Sequence, residues 1–268
     1  MNDTAARLPA GRKAEVVSHV NRHGQVTVTA LAEHFGVSAD TIRRDLDQLD
    51  ADGLLIRMHG GAMSTSAVPW HDTSLSDRAR LQSTQKDQIG RLAADLVQDG
   101  NVLFINGGTT ALALVHHLGD RRELIIATNN LSLPAEINTE ACRDLYVFGG
   151  HVRVSGLVTI GPVSFASSIS GVDNGIHVDL ALIGVGAVDA EGLSTSNLDE
   201  AAMLGQMAVR ARRVAILADS TKLGKRLFAS IGPLSVADYL VTNEQPPADL
   251  AQALKAADVQ VLTPDTPY

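Results

Sequence analysis

Within the first fifty positions, apolar residues return every three or four places in three separate runs. Val16, Val17 and Val20 predict a helix at 12–22. Ala30, Leu31 and Phe35 predict a second at 28–35, and Ile42, Leu46 and Leu49 a third after Ser38. The punctuation agrees. Gly24-Gln25-Val26 breaks the first helix, Thr27 can cap the second and Gly36 ends it. Ser38 can cap the third, with Asp40 in its first turn at the positive end of the dipole. At 3.6 residues per turn, Arg44 falls nearly opposite the apolar stripe of that third helix, with Thr41 and Arg43 on its flanks. Such a front suits a DNA major groove, and it equally suits an ordinary surface helix with solvated arginines.

The residues that follow narrow the choice. Gly53 stops the helix, Leu54-Leu55-Ile56 can return as a short strand, and Arg57 and His59 alternate outward beyond it, toward phosphate or the minor groove. Helix, tight turn, helix and wing in this order predict a small winged helix-turn-helix domain at 1–62. Its candidate DNA-contacting side chains are Thr27, Ser38, Thr41, Arg43, Arg44, Arg57 and His59.

Residues 63–77, rich in Ser, Thr and Ala and containing Pro69, read as a linker. From Leu81 the pattern changes to apolar runs alternating with helical stretches. The runs at 101–106, 124–128, 145–148, 179–184, 214–219, 239–242 and 259–262 predict strands; 86–97, 109–118 and 198–212 predict helices. The whole of 78–268 therefore reads as a larger α/β domain with a mostly parallel sheet covered on both faces. Ligands in such sheets sit at the carboxyl ends of strands, which directs attention to four turns.

Asn106-Gly107-Gly108-Thr109-Thr110 can present backbone N–H groups and hydroxyls to a phosphate, or form a plain capped turn. It is neither a Walker loop nor a dinucleotide fingerprint. Thr128-Asn129-Asn130 offers amides to sugar hydroxyls, or a helix cap. Glu200, in the acidic pair Asp199-Glu200, can take a hydroxyl or simply favour a helix dipole. Lys222, in Asp219-Ser220-Thr221-Lys222-Leu223-Gly224, can neutralise a phosphate or stand in solvent.

Charge and composition adjust this picture. The chain has 268 residues, 45% of them hydrophobic, and no apolar stretch approaches the roughly 20 residues of a membrane span. The first twelve residues are polar and predict no secretory signal. The single cysteine, Cys142, suits a reducing cytoplasm. A net charge of −8 argues against holding nucleic acid by bulk charge; residues 1–62 carry seven Lys/Arg against eight Asp/Glu, so any DNA contact must be local. His19 and His23, at i and i+4, form a pair that can grip a metal or stand solvated, and no third ligand is near in sequence. No metal or cofactor is expected.

Residues 12–62 resemble the winged helix-turn-helix of the DeoR family of bacterial sugar-catabolism regulators. Val37-Ser38, Thr41-Ile42-Arg43-Arg44-Asp45-Leu46, Leu49, Gly53-Leu54 and His59-Gly60-Gly61-Ala62 carry the resemblance. Over 78–245 the chain resembles the same family's effector domain through Arg78, Lys86, Gly108-Thr109-Thr110, Thr128-Asn129, Gly149-Gly150, Gly161-Pro162, Gly192-Leu193, Glu200-Ala201 and the run from Asp219 to Gly224. The resemblance implies a fold similar to ribose-phosphate isomerase and a cytoplasmic repressor of a carbohydrate-catabolism operon. Its partners would be operator DNA and a phosphorylated sugar, and it would act as a homodimer or homotetramer away from any membrane. The effector residues it implies are Asn106, Gly107, Gly108, Thr109, Thr110, Thr128, Asn129, Asn130, Glu200 and Lys222. Two departures stand out: Asn106 where the family usually has Asp, and Leu204-Gly205 where basic residues are common. An alternative is an isomerase-like enzyme with an N-terminal appendage, for which Glu200, Asp219 and Asp189 are the candidate bases.

Overall fold

Thr27 and Gly36 bound the second helix as their chemistry dictates: the Thr27 hydroxyl accepts from the Ala30 N–H at 3.2 Å, and Gly36 closes the helix at φ 65°. These details come from a computed structural model, which describes residues 9–51, 54–58, 60–64, 75–161 and 176–266. The chain divides into two compact units, Met1–Ser83 and Thr84–Tyr268.

The first unit runs α1 (Pro9–His23), β1 (Gln25–Thr27), α2 (Val28–Phe35), α3 (Ala39–Ala51), β2 (Ile56–Met58), β3 (Gly61–Met63) and α4 (Leu75–Arg80). Its core is the one that the helical spacing predicts. Val16, Val20, Leu31, Ile42, Leu46 and Leu49 are all buried, together with Leu55 from the wing. The wing is larger than the sequence suggests. It is an antiparallel sheet in the order β1-β3-β2, and it takes in Gln25–Thr27, where the sequence predicts a helix break followed by the cap Thr27. Met63 belongs to β3, inside the stretch that reads as linker. Gly61 sits where β3 crosses β1; a Cβ there would lie 2.3 Å from the Val26 carbonyl oxygen.

The second unit opens with α5 (Ser83–Ala94), β4 (Val102–Ile105), α6 (Thr109–Val115), β5 (Leu124–Thr128), α7 (Leu133–Glu136) and β6 (Cys142–Val147). A hairpin of β7 (His151–Arg153) and β8 (Val158–Ile160) follows. Then come β9 (Leu180–Gly184), β10 (Ala187–Asp189), β11 (Gly192–Thr195), α8 (Leu198–Val209), β12 (Val214–Leu217), β13 (Ala229–Gly232), β14 (Tyr239–Val241), α9 (Ala248–Ala256) and β15 (Gln260–Leu262).

The seven apolar runs marked in the sequence are the seven strands of one sheet, ordered β15-β14-β12-β9-β4-β5-β6 and parallel throughout. Side chains alternate across it. Leu103 and Ile105 point into a core with α5, α6 and α7, while Phe104 points into another with α8 and α9. From β4 the chain winds outward through β5 and β6, then returns to β9 on the other side of β4 and winds outward again. The topological switch point therefore lies between β4 and β9, and the carboxyl ends beside it are where ligands of such sheets bind. The β7–β8 hairpin and the small sheet β10-β11-β13 are additions that the sequence pattern did not reveal.

α5 precedes β4 and α6 follows it, so both helices begin at the carboxyl edge of the sheet. They pack so closely that a Cβ on Gly90 would lie 2.7 Å from backbone atoms of Ala113 and Leu114. Lys86, one turn before Gly90, is thereby set level with the start of α6.

Candidate DNA-reading face and effector site

In the first unit α3 turns its apolar side inward and leaves Arg43 and Arg44 exposed, with Thr41 half-buried. Ser38 caps the helix by accepting from the Thr41 N–H at 3.2 Å, and the two hydroxyls lie 2.9 Å apart. Arg43 Nη1 donates to Asp40 at 2.5 Å. Arg44 has no ion pair or side-chain hydrogen bond among the described residues.

The acids on the rest of α3 are engaged within the unit. Asp45, only 5% exposed, receives both Nε (2.6 Å) and Nη2 (3.2 Å) of Arg12 from α1. Asp47 receives Arg57 Nε at 3.1 Å, and Asp50 accepts from the Arg57 backbone N–H. Arg57 also donates to the Met58 and Gly61 carbonyls at 2.7 Å. Its guanidinium therefore fastens the wing to α3 instead of reaching outward as the alternation suggests. His59 lies outside the described residues. His19 stacks on His23 and also on His34, at ring separations of 4.2 and 4.1 Å, so a third imidazole is present although none is near in sequence. Among the described residues, no group of three or more His, Cys, Asp or Glu is arranged to hold a metal ion.

In the second unit, the residues expected to read a sugar divide into framework and free donors. Asn106 belongs to the framework: Nδ2 donates to the Gly184 carbonyl at 2.8 Å and Oδ1 accepts from the Gly184 N–H at 2.7 Å, across the switch point. Thr128 donates to the Ile105 carbonyl and accepts from the Asn130 N–H. Asn129 accepts from the Gly107 N–H and donates to the Thr159 carbonyl, both at 2.8 Å. Polar atoms of Asn106, Thr128 and Asn129 thus knit strand ends together and fix the shape of the turns. The Gly107 N–H is held by Asn129, and Val158 lies so close that a Cβ on Gly107 would be 2.0 Å away.

What remains open is Gly108 at φ 137°, followed by the first amides of α6, which no side chain caps, with Thr109 and Thr110 beside them. Asn130 is 1% exposed; its Oδ1 accepts from Ser132, and its Nδ2 has no partner in the structure. Glu200 accepts from the Thr195 hydroxyl at 2.8 Å and lies 4.0 Å from Arg153 of the β7–β8 hairpin.

Lys222 is buried, not solvated, and lies 3.8 Å from buried Asp219. Burial alone would raise the Asp219 pKa. The charge of Lys222, the Thr221 hydrogen bond and the charge of Lys86 outweigh it and hold the carboxyl below its ordinary range. Lys86 is thus a site residue that the sequence reading left as a family mark. Its signal is a lysine on the same helical face as Ile89 and Ala93. The Asp219 turn follows β12, two strands from the Gly108 turn after β4, a separation of about 10 Å by strand spacing. The carboxyl edge thus brings together an uncapped glycine turn and two buried lysines.

Two of the acids named for an enzyme, Asp189 and Asp219, are held on the acidic side of the ordinary range. Burial would raise Asp189, but the paired donors of Arg226 (2.8 and 2.9 Å) and turn amides pull its pKa down, as happens at Asp219. A carboxylate general base is most effective when its pKa is raised toward the working pH.

The comparisons with known proteins are consistent across the chain. The model of the DeoR-like helix-turn-helix domain matches residues 12–68, and that of the DeoR C-terminal sensor domain matches 81–244. The glycerol-3-phosphate regulon repressor of Escherichia coli K12 is 30% identical over 252 residues, covering 92% of this chain and 95% of that one. The HTH-type transcriptional regulator GlpR of Haloferax volcanii is 33% identical over 257 residues, covering 95% and 98%. Among solved structures, ribose 5-phosphate isomerase from Plasmodium falciparum aligns over 53% of this chain and 54% of its own, at TM-score 0.34 and 12% identity.

Proposed function

The chain belongs to the DeoR family of DNA-binding transcriptional regulators, and on that premise we propose that it represses a carbohydrate- or glycerol-phosphate catabolic operon and leaves its operator when a phosphorylated metabolite binds the second unit. The reading element is α3. Thr41, Arg43 and Arg44 enter the major groove, the hydroxyls of Thr27 and Ser38 reach flanking phosphates, and the wing bearing His59 follows the backbone, steadied by Arg57. One such helix spans too few base pairs for genomic specificity, so the chain acts in the cytoplasm as a homodimer or homotetramer on repeated half-sites.

The observation that carries the effector assignment is the pair of buried lysines around Asp219 at the same sheet edge as the Gly108 turn. A phosphate dianion there takes amides of Gly108, Thr109 and Thr110 and the charges of Lys222 and Lys86. Asn130 Nδ2 and the second oxygen of Glu200 face the hydroxyls of the carbon chain. Coupling between such a ligand and the operator is typically about 1–3 kcal/mol.

Thermal unfolding against a panel of phosphorylated trioses, pentoses and hexoses tests this reading. A ligand at a hundredfold excess over Kd stabilises by about 2.7 kcal/mol. The shift should require the phosphate and disappear in Lys222→Met. Absence of a shift with every phosphate would overturn it.

A further inference from the structure

α3 carries four aspartates, and Asp40 differs from the other three. Asp45, Asp47 and Asp50 are bound by groups of α1 and the wing, although the Asp47 side chain itself is two-thirds exposed. Asp40 lies in the first turn, three-quarters exposed, and is paired with Arg43 at 2.5 Å. An exposed pair one turn apart adds little to helix stability. Its position is more informative, since the first residues of a reading helix are the ones that meet base edges.

A carboxylate there is a liability on most DNA. It is repelled by the phosphates lining the groove, and it offers only acceptors. The major-groove group that satisfies it best is the N4 amino group of cytosine, while arginine fits guanine O6 and N7. Asp40 and Arg43, held side by side, therefore present the complement of guanine and cytosine edges together. Arg44, unengaged among the described residues, carries no such condition.

Resting on the assignment of α3 as the reading helix, we propose that Asp40 is a specificity-determining residue. It aims Arg43 at guanine, accepts from a cytosine amino group, and penalises DNA that lacks this pair, while Arg44 supplies affinity that does not depend on sequence. Without Asp40, Arg43 is released to any phosphate.

The test selects duplexes from a randomised library with the full-length protein, Asp40→Asn, Asp40→Ala, Arg43→Ala and Arg44→Ala. Circular dichroism confirms that each variant keeps its fold. Duplexes chosen by the unaltered protein should share a G·C pair in each half-site, and Asp40→Asn, Asp40→Ala and Arg43→Ala should all lose the preference at that pair. On an unselected duplex, Asp40→Asn should bind about fivefold more tightly near physiological salt, with a salt slope steeper by about 0.9, as expected for one added phosphate contact. Arg44→Ala should weaken all duplexes alike and leave the consensus intact. An unchanged consensus with unchanged affinity for unselected DNA in both Asp40 variants overturns the role of Asp40 alone. An unaltered protein that selects no sequence overturns the reading of α3 itself.

Discussion

Asn106 stands to Gly184 as a neighbouring strand would: its amide gives one hydrogen bond to the glycine carbonyl and takes one from the glycine N–H, continuing the β4–β9 pairing beyond the last backbone partners. A carboxylate can make only the second of these bonds. The departure from the family's usual aspartate thus bridges the switch point with a group that carries no charge.

Asn106→Asp leaves the Gly184 carbonyl facing a carboxylate, and losing that partner costs about 1–3 kcal/mol at neutral pH. Burial raises the pKa of the introduced acid. Its stability contribution is therefore present at acidic pH, where the protonated group can donate again, and is lost as pH rises through the folded pKa. Urea unfolding at acidic and neutral pH should show the penalty shrinking on acidification. An equal penalty at both would refute this account of Asn106.

Lys222→Met leaves Asp219 buried with less positive charge around it, at a cost of about 3 kcal/mol. Because the Asp219 pKa is depressed in the folded chain, the stability it contributes is present above its unfolded value of about 3.9 and lost as pH falls through the folded value. The gap between parent and variant in chemical denaturation should accordingly close in acid. Adding Asp219→Asn to the variant should recover part of the loss at neutral pH.

Arg12→Met isolates the buried Asp45 carboxylate and should lower stability by about 3–5 kcal/mol. The double change Arg12→Met with Asp45→Leu removes both charges and should restore most of it. If the single and double variants unfold at the same denaturant concentration, the pair does not hold α3 to α1.

Gly90→Ala sets two effects against each other. Alanine gains about 1 kcal/mol of helix propensity, while forcing backbone apart at a 2.7 Å contact costs about 1–3 kcal/mol. The close contact is with main chain, which cannot swing aside, so the variant should melt below the parent. A higher melting point would show that α5 and α6 separate easily.

Protonation of His19 is disfavoured by its partial burial, then by His34, His23 and Arg22, so its pKa lies below the ordinary value. The neutral ring is the form the fold accepts. Its contribution is complete above the unfolded value of about 6.5 and falls away as pH drops below it. Imidazole NMR titration should place His19 below an exposed histidine, and His34→Gln should move it upward. A His19 titration unchanged by that variant would contradict the stacked cluster.

The inner strands were legible because a strand buried on both faces of a parallel sheet is written as an apolar run, while the edge strand β6 carries such a run only at Leu145-Tyr146-Val147. The strands β1, β7, β8 and β10 escaped because each mixes polar residues into three positions and lies outside the large sheet, so no apolar run marks it. The reading helix was legible from its cap and stripe, which are local. Which amides hold the framework and which stay open was not. Asn129 and Thr159 are thirty positions apart, and only the fold decides that one bonds the other. Arg57 followed the outward alternation of a strand, yet its length lets it double back to Asp47, a choice that alternation does not encode.

The arrangement of charge along α3 has a consequence that the sum of charges conceals. Among the described residues each acid of α3 has a basic partner: Asp40 with Arg43, Asp45 with Arg12, Asp47 with Arg57 and Asp50 with Arg80. Arg44 is left exposed without such a pair, so a unit of near-zero net charge still presents a positive charge on its outward face. Long-range attraction to DNA is weak for such a body, and the attraction that remains acts at short range through that side chain. Raising the ionic strength should therefore loosen the complex after contact far more than it slows the approach.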